Sequence, residues 1–346
     1  MANALESELH YPLGDALPAP GRLAEVAPGV HWLRMPLPFA LDHINLWLLR
    51  DRNEADAAEG WTLVDCGLDD PATRAAWDAV FATELHGRPL LRVLCSHMHP
   101  DHLGLAHWIT ERFDCRLWIS GNDWAAARMV VAQPTDAHGG DRAADFFARH
   151  GLTDPQALAA IRRRGNHFAT LVPAVPARFR RLMHGQRLRI GAHEWHGVAG
   201  YGHSPEHIAL HCPALGVLIA GDMVLPRIST NVSVMEFEPE ADPLTLYLRS
   251  IDALRALPAD TLVLPSHGRP FVGLHRRIEQ LQAHHAERFA QVLAACAGRP
   301  RSAAELLPVL FPRALDLHQT TFALGEAIAH VHALLGQGRL QTIEGA

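Results

Sequence analysis

The chain has 346 residues, 48% of them hydrophobic, with 31 basic and 37 acidic side chains and a formal net charge of −6 when its 24 histidines are counted as neutral. That length can bury one large core plus a small appendage, and the mild acidity by itself singles out no partner. No apolar run reaches the length of a membrane span. The first thirty residues hold Glu6, Glu8, Asp15 and several prolines in place of an apolar signal segment, so the expectation is a protein that works away from the membrane.

Residues 30–37, 43–50 and 62–65 read as opening strands, with an acidic loop over 51–59. Pro71 starts a helix that runs to about residue 86, and the apolar run 90–95 reads as a buried strand. It stops where Pro100 and Gly104 mark a turn, after which 103–113 is predicted helical and 116–120 a strand. Residues 122–185 read as helices broken at Gln133-Pro134, His138-Gly139-Gly140, Thr153-Asp154-Pro155 and between Pro173 and Pro176. A span this long is no plain crossover, so the pattern predicts a helical insertion covering the site. Strands return over 187–195, 207–210 and 217–220, a helix over 244–257 follows, and an amphipathic stretch over 274–297 leads to a tail opened by the capping-box pair Ser302 and Glu305. Cys66, Cys95, Cys115, Cys212 and Cys296 are odd in number and widely spread, which predicts free thiols in a reducing cytoplasm.

The stretch Ser96-His97-Met98-His99-Pro100-Asp101-His102 puts four metal-ligand side chains directly after a buried strand. His97 and His99 can project to one side, while Asp101 and His102 come one turn later, a spacing that favours two adjacent metals over one. Imidazole and carboxylate suit zinc, iron or manganese, and the lack of a cysteine argues against a purely structural zinc knot. A solvated His-rich turn is the plain alternative. Three further candidates share the strand-end placement: His203 in Gly202-His203-Ser204-Pro205-Glu206-His207, Asp222 after the run 216–221, and His267 after 261–266.

These motifs, HxHxDH, GHSPEH, a lone Asp after an apolar strand and a late SHG, resemble in type and order those of the metallo-β-lactamase fold superfamily of dinuclear hydrolases, across about residues 25–275. The resemblance implies an α/β fold, a four-layer αββα sandwich carrying the helical insertion. By motif, His97, His99 and His203 would hold a first metal and Asp101, His102 and His267 a second, with Asp222 bridging. Asp65, in Val64-Asp65-Cys66-Gly67, would orient a ligand histidine from behind, and His43 and His207 would lie close by. The tail is similar to the small winged-helix appendage of the lactamase-beta-like subgroup. The expected division is therefore a hydrolase domain over 1–297 and an appendage over 298–346.

Two divalent cations, zinc with iron or manganese as alternatives, would lower the pKa of a shared water, hold the resulting hydroxide and stabilise the oxyanion, with Asp101 and Asp222 as the carboxylates at the chemistry. Such a centre does not choose its electrophile. Arg162, Arg163 and Arg164, with Arg178, Arg180, Arg181, Arg187 and Arg189, give the insertion and its exit a cationic bias. Phe146, Phe147, Leu158, Ile161 and Phe168 add apolar surface to it. An acyl-coenzyme A or acyl-glutathione thioester would use both characters, and Arg227, soon after Asp222, could line the same pocket. A solvated helix face is the competing account of the arginines. The leading expectation is hydrolysis of a thioester or related ester. A lactonase or a metal-dependent endoribonuclease is the alternative, although the acidic charge and the lack of an aromatic platform disfavour nucleic acid. A non-enzymatic regulator is opposed by the completeness of the ligand set and by the acidic tail residues Glu305, Asp316 and Glu326.

Overall fold

A computed structural model describes residues 3–19, 21–53, 55–133 and 139–343. Pro134 and His138, which mark two expected breaks, lie outside the described residues. The first half of the chain builds β1 (Ala24–Ala27), β2 (Val30–Pro36), β3 (His43–Arg52), β4 (Glu59–Val64), α1 (Pro71–Thr83), β5 (Leu90–Leu94), α2 (Pro100–Leu103), α3 (Ala106–Arg112) and β6 (Arg116–Ser120). Then come α4 (Gly121–Ala132), α5 (Gly140–Arg149), α6 (Pro155–Arg164), α7 (His167–Leu171) and β7 (Phe179–Leu182), which closes a seven-stranded sheet ordered β1 to β7. The rest supplies β8 (Arg187–Ile190), β9 (His193–Gly200), β10 (His207–Cys212), β11 (Val217–Gly221), α8 (Pro243–Ala253), β12 (Leu262–Pro265), β13 (Phe271–Val272), α9 (Leu274–Cys296), α10 (Ala303–Leu310) and α11 (Leu317–Gly336). Its six strands form a second sheet, ordered β13-β12-β11-β10-β9-β8.

Side chains alternate across a strand, and here both faces are apolar because both sheets are covered twice. Along β2 and β3, Trp32, Trp47 and Leu49 face the second sheet, meeting Trp195, Leu210 and Ile219. Their neighbours Leu33, Met35, Leu46 and Leu48 face outward onto Trp77, Val80 and Ile109 of α1 and α3. On the second sheet Ile219 and Leu264 point inward, while Leu218, Ala220 and Val263 pack outward against α8, α9, α10 and α11. The result is an αββα sandwich, as the motifs implied.

Three expectations change. The strand expected over 187–195 is a hairpin, β8 and β9, turning between Ile190 and His193. The insertion is helical only as far as α7; residues 179–182 return as β7, paired parallel to β6. The arginines hid this strand. Arg180 and Arg181 on β7 and Arg187 and Arg189 on β8 are exposed, and β7 and β8 are the edges of the two sheets, where charged side chains oppose stray pairing. Finally, the tail is helical with no wing: no strand follows Val272 among the described residues. Leu306, Leu310, Leu324, Ile328 and Leu334 join the same core as the second sheet's outer face. None of the five cysteines is bridged, and no helix among the described residues is long and apolar enough to cross a membrane.

Candidate metal centre

The site lies beyond the strand ends that both sheets send to one rim. After β5 the chain bends through Ser96 to His99, itself in an extended conformation, and Pro100, whose ring fixes the first helical φ, opens the single turn α2. That turn brings Asp101 and His102 beside His97. From the second sheet come His203 after β9, Asp222 after β11 and His267 after β12.

Two clusters result, His97, His99, His203 and Asp222 in one, and Asp101, His102 and His267 in the other, each with its candidate ligand atoms within 4.8 Å of one another. In the first, His97 Nε2 lies 2.9 Å from His99 Nδ1 and 3.1 Å from His203 Nε2. Two ligands about 2.1 Å from one tetrahedral ion stand about 3.4 Å apart, so this convergence fits a shared cation. In the second, His267 Nε2 is 3.4 Å from Asp101 Oδ2, and His102 Nε2 is 3.7 Å from the same oxygen. Asp222 faces both ways. Its Oδ2 is 3.3 Å from His203 Nε2, and its Oδ1 is 3.4 Å from His267 Nε2 and 3.6 Å from His102 Nε2. Asp222 Oδ1 and His102 Nε2 are buried without a hydrogen-bond partner, which is costly unless a ligand satisfies them.

On His102, His203 and His267 the second ring nitrogen is held from behind. Asp65 accepts from His102 Nδ1 at 2.9 Å and from the Ser96 N–H at 2.7 Å. His203 Nδ1 donates to the Asn231 carbonyl at 2.7 Å, and His267 Nδ1 to the His43 carbonyl at 2.8 Å. Each of these bonds turns Nε2 toward the cluster. The His43 ring instead accepts from the Gly268 N–H at 2.8 Å, and His207 Nε2 accepts from the Asp222 N–H at 3.3 Å. A Cβ on Gly221, at φ 53°, would come within 2.1 Å of that His207 nitrogen, so only glycine fits between ring and ligand.

Burial and the surrounding histidines push His97 and His99 well below the usual imidazole range, and burial takes His207 down to about 3. These rings present lone pairs at neutral pH. On His102 and His267 burial acts the same way but is outweighed by Asp101, Asp222 and, for His102, Asp65; His102 rises well above its usual range and His267 to about 10. The second cluster thus calls for positive charge. Asp101, despite burial, is lowered to about 2 by His102 and His267.

The structure therefore brings together the seven residues expected as ligands, with Asp65, His43 and His207 around them. Arg162, Arg164 and Arg227 have their hydrogen bonds and ion pairs with residues other than these ligands. Arg162 pairs with Asp141 at 3.3 Å and Asp145 at 2.7 Å, Arg163 is exposed on the same helix end, and Arg164 donates to His318. Arg227 pairs with Glu6 at 3.1 Å. Sequence reading missed Asp123. Buried on α4, it accepts from the Met98 N–H at 2.8 Å and the Glu206 N–H at 2.6 Å, tying both histidine loops to one carboxylate. Its only signal was the Ser120-x-x-Asp123 helix start. Also missed was Arg277, which grips the carbonyls of Leu225 at 2.6 Å and Ile228 at 2.9 Å in the segment after Asp222.

Fold and site together define a known class. Residues 41–267 match the Metallo-beta-lactamase superfamily and residues 289–346 the Metallo-beta-lactamase-like, C-terminal domain. The chain belongs to the metallo-β-lactamase superfamily, whose fold binds divalent metals. It is similar to a beta-lactamase domain protein of Burkholderia ambifaria, with 52% identity, 99% of this chain and 96% of that one covered, and a TM-score of 0.90. A metallo-beta-lactamase family protein of Thermus thermophilus is 27% identical, with coverage of 91% and 95% and a TM-score of 0.71. The probable metallo-hydrolase YqjP of Bacillus subtilis is 23% identical over 322 residues, covering 87% of this chain and 91% of the relative.

Proposed function

We propose that the chain is a dinuclear metal-dependent hydrolase, zinc-loaded by preference, that cleaves a thioester or related ester. The observation that carries this reading is Asp222, whose two oxygens face two adjoining ligand clusters. When bound, the metal ions supply Lewis acidity toward the acyl oxygen and lower the pKa of the attacking water. His97, His99 and His203 would hold one ion and Asp101, His102 and His267 the other, with Asp222 shared. Ionised at neutral pH, Asp101 offers an acceptor to the incoming water, and Asp222 fixes the spacing of the two halves. The single turn of α2 keeps Asp101 and His102 together, so the two would hold their ion from one rigid element. No serine or cysteine nucleophile is needed.

The test is elemental analysis of protein purified without chelator, followed by turnover assays on acyl-coenzyme A thioesters, simple lactones and single-stranded RNA. The expected result is about two equivalents of metal per chain and thioester or ester hydrolysis that chelation abolishes and zinc restores. Full activity with one equivalent would overturn the dinuclear reading, and cleavage of RNA alone would overturn the ester reading.

A further inference from the structure

Phe39 and Phe322 are exposed at 40% and 43%, yet they stand on either side of one ring. His318 stacks on Phe39 with centroids 6.1 Å apart and an 18° tilt, and meets Phe322 edge-on at 4.8 Å. Phe39 comes from the loop between β2 and β3, whereas His318 and Phe322 are one turn apart on α11. Adjacent exposed aromatics form the kind of apolar patch that soluble proteins keep for a ligand.

Both sides of this ledge connect to residues that hold the outer nitrogens of metal-cluster histidines. The Phe39 loop leads to His43, whose carbonyl takes His267 Nδ1 at 2.8 Å. On the α11 side, Ser233 Oγ lies 3.4 Å from the Phe322 carbonyl and 2.8 Å from Asn231 Oδ1, and the Asn231 backbone carbonyl takes His203 Nδ1 at 2.7 Å. The helix is docked tightly there. Gly325 accepts from the Val234 N–H at 3.2 Å, and a Cβ on it would come within 2.8 Å of the Ser233 side chain. Arg164, at the end of α6, donates through Nη2 to His318 Nδ1 at 2.7 Å. No carboxylate among the described residues forms an ion pair with it, unlike Arg162 with its two aspartates.

We infer that Phe39, His318 and Phe322 form the wall that holds the acyl or aryl portion of the substrate, with Arg164 pairing with an anionic group on the same molecule. This rests on the hydrolase reading for the bond that is cleaved, and it narrows the substrate to an ester or thioester bearing a ring-sized apolar group beside a carboxylate, sulfonate or phosphate. The C-terminal region then selects the substrate, and the metal centre cleaves it.

Two probes separate the parts: the fluorescent anilinonaphthalene sulfonate, an aromatic anion, and phenylnaphthylamine, its neutral counterpart. With the zinc-loaded full chain, Phe39→Ala and Phe322→Ala should each weaken binding of both probes about tenfold. Arg164→Gln should weaken only the sulfonate, again by about tenfold. Melting temperature and metal content, measured on the same samples, should match those of the parent protein, because the two phenylalanines are exposed and the glutamine amide at position 164 is still a hydrogen-bond donor. On any ester that the parent turns over, the phenylalanine variants should raise KM and leave kcat unchanged. Unchanged affinity for both probes in all three variants would overturn the inference. So would an equal loss of both probes in Arg164→Gln. Intact probe effects without any ester turnover would support the ledge and sink the ester-hydrolase reading instead.

Discussion

Asp65 and Asp123 carry none of the cluster's candidate ligand atoms, yet they hold the loops that supply them. Asp65, at φ 62°, sits in the left-handed region that Asp tolerates better than most side chains, and its carboxylate aligns His102 while bonding Ser96. Asp65→Asn keeps the shape but removes the charge that the His102 N–H points to. The expected outcome is metal affinity weakened by about tenfold to a hundredfold, read by competition with a chromogenic chelator. Asp123→Ala acts differently, because it strands the N–H groups of Met98 and Glu206 in a buried place. At about 1 to 3 kcal/mol for each orphaned group, urea unfolding of the metal-free protein should show a loss of about 2 to 6 kcal/mol. A loss under about 0.5 kcal/mol would mean the two loops hold themselves. The clustering ligands were readable because each follows a β-strand directly or within a few residues in a recognisable motif. Asp123 was not, because its partners are backbone N–H groups, which leave no trace in composition or spacing.

Elements with a largely buried apolar run or a helical period were equally readable, as β2, β3, β5 and α9 show. Those that were misread, β7 and β8, have their polar faces at sheet edges, so period and burial parted company. The tail's capping box is present, with Ser302 Oγ accepting from the Glu305 N–H and the Glu305 carboxylate from the Ser302 N–H. The wing was an expectation that helical spacing could not test. Within α11, Glu326 is a polar residue on a buried face, near Arg288 of α9, Tyr247 of α8 and His330, whose Nδ1 donates to the Glu326 carbonyl. Burial raises its carboxyl from 4.5 to about 7, with Arg288 pulling the other way. A raised folded-state value means the folded chain holds a proton that the unfolded chain has released. Its contribution is therefore fully present below pH 4.5 and is lost as pH rises to about 7, a change of about 3 kcal/mol. Glu326→Gln should flatten this part of the profile and make the protein more stable than its parent at pH 8. A denaturation series across pH 4.5 to 8 with parallel curves for the two proteins would refute it.

At the scale of the whole molecule, the C-terminal helices share one core with the outer face of the second sheet, so the tail is no detachable module. Deleting residues 298–346 would uncover Leu218, Val263, Leu274 and Ile278, which pack in the cluster that includes Leu306, Leu324 and Ile328. The truncated chain is expected to aggregate or bind hydrophobic dyes rather than fold as a soluble metal-binding domain, which size-exclusion chromatography would show. The seven candidate ligands also span both sheets: His97 and His203 are 106 residues apart in sequence and touch across the sandwich. A cation seated between them is a rivet through the seam of the molecule, closed only after both halves have met. Its grip should be felt in one direction of time. Raising free zinc should slow unfolding in stopped-flow denaturant jumps and leave the refolding rate almost unchanged, since the rivet is set after the barrier has been crossed.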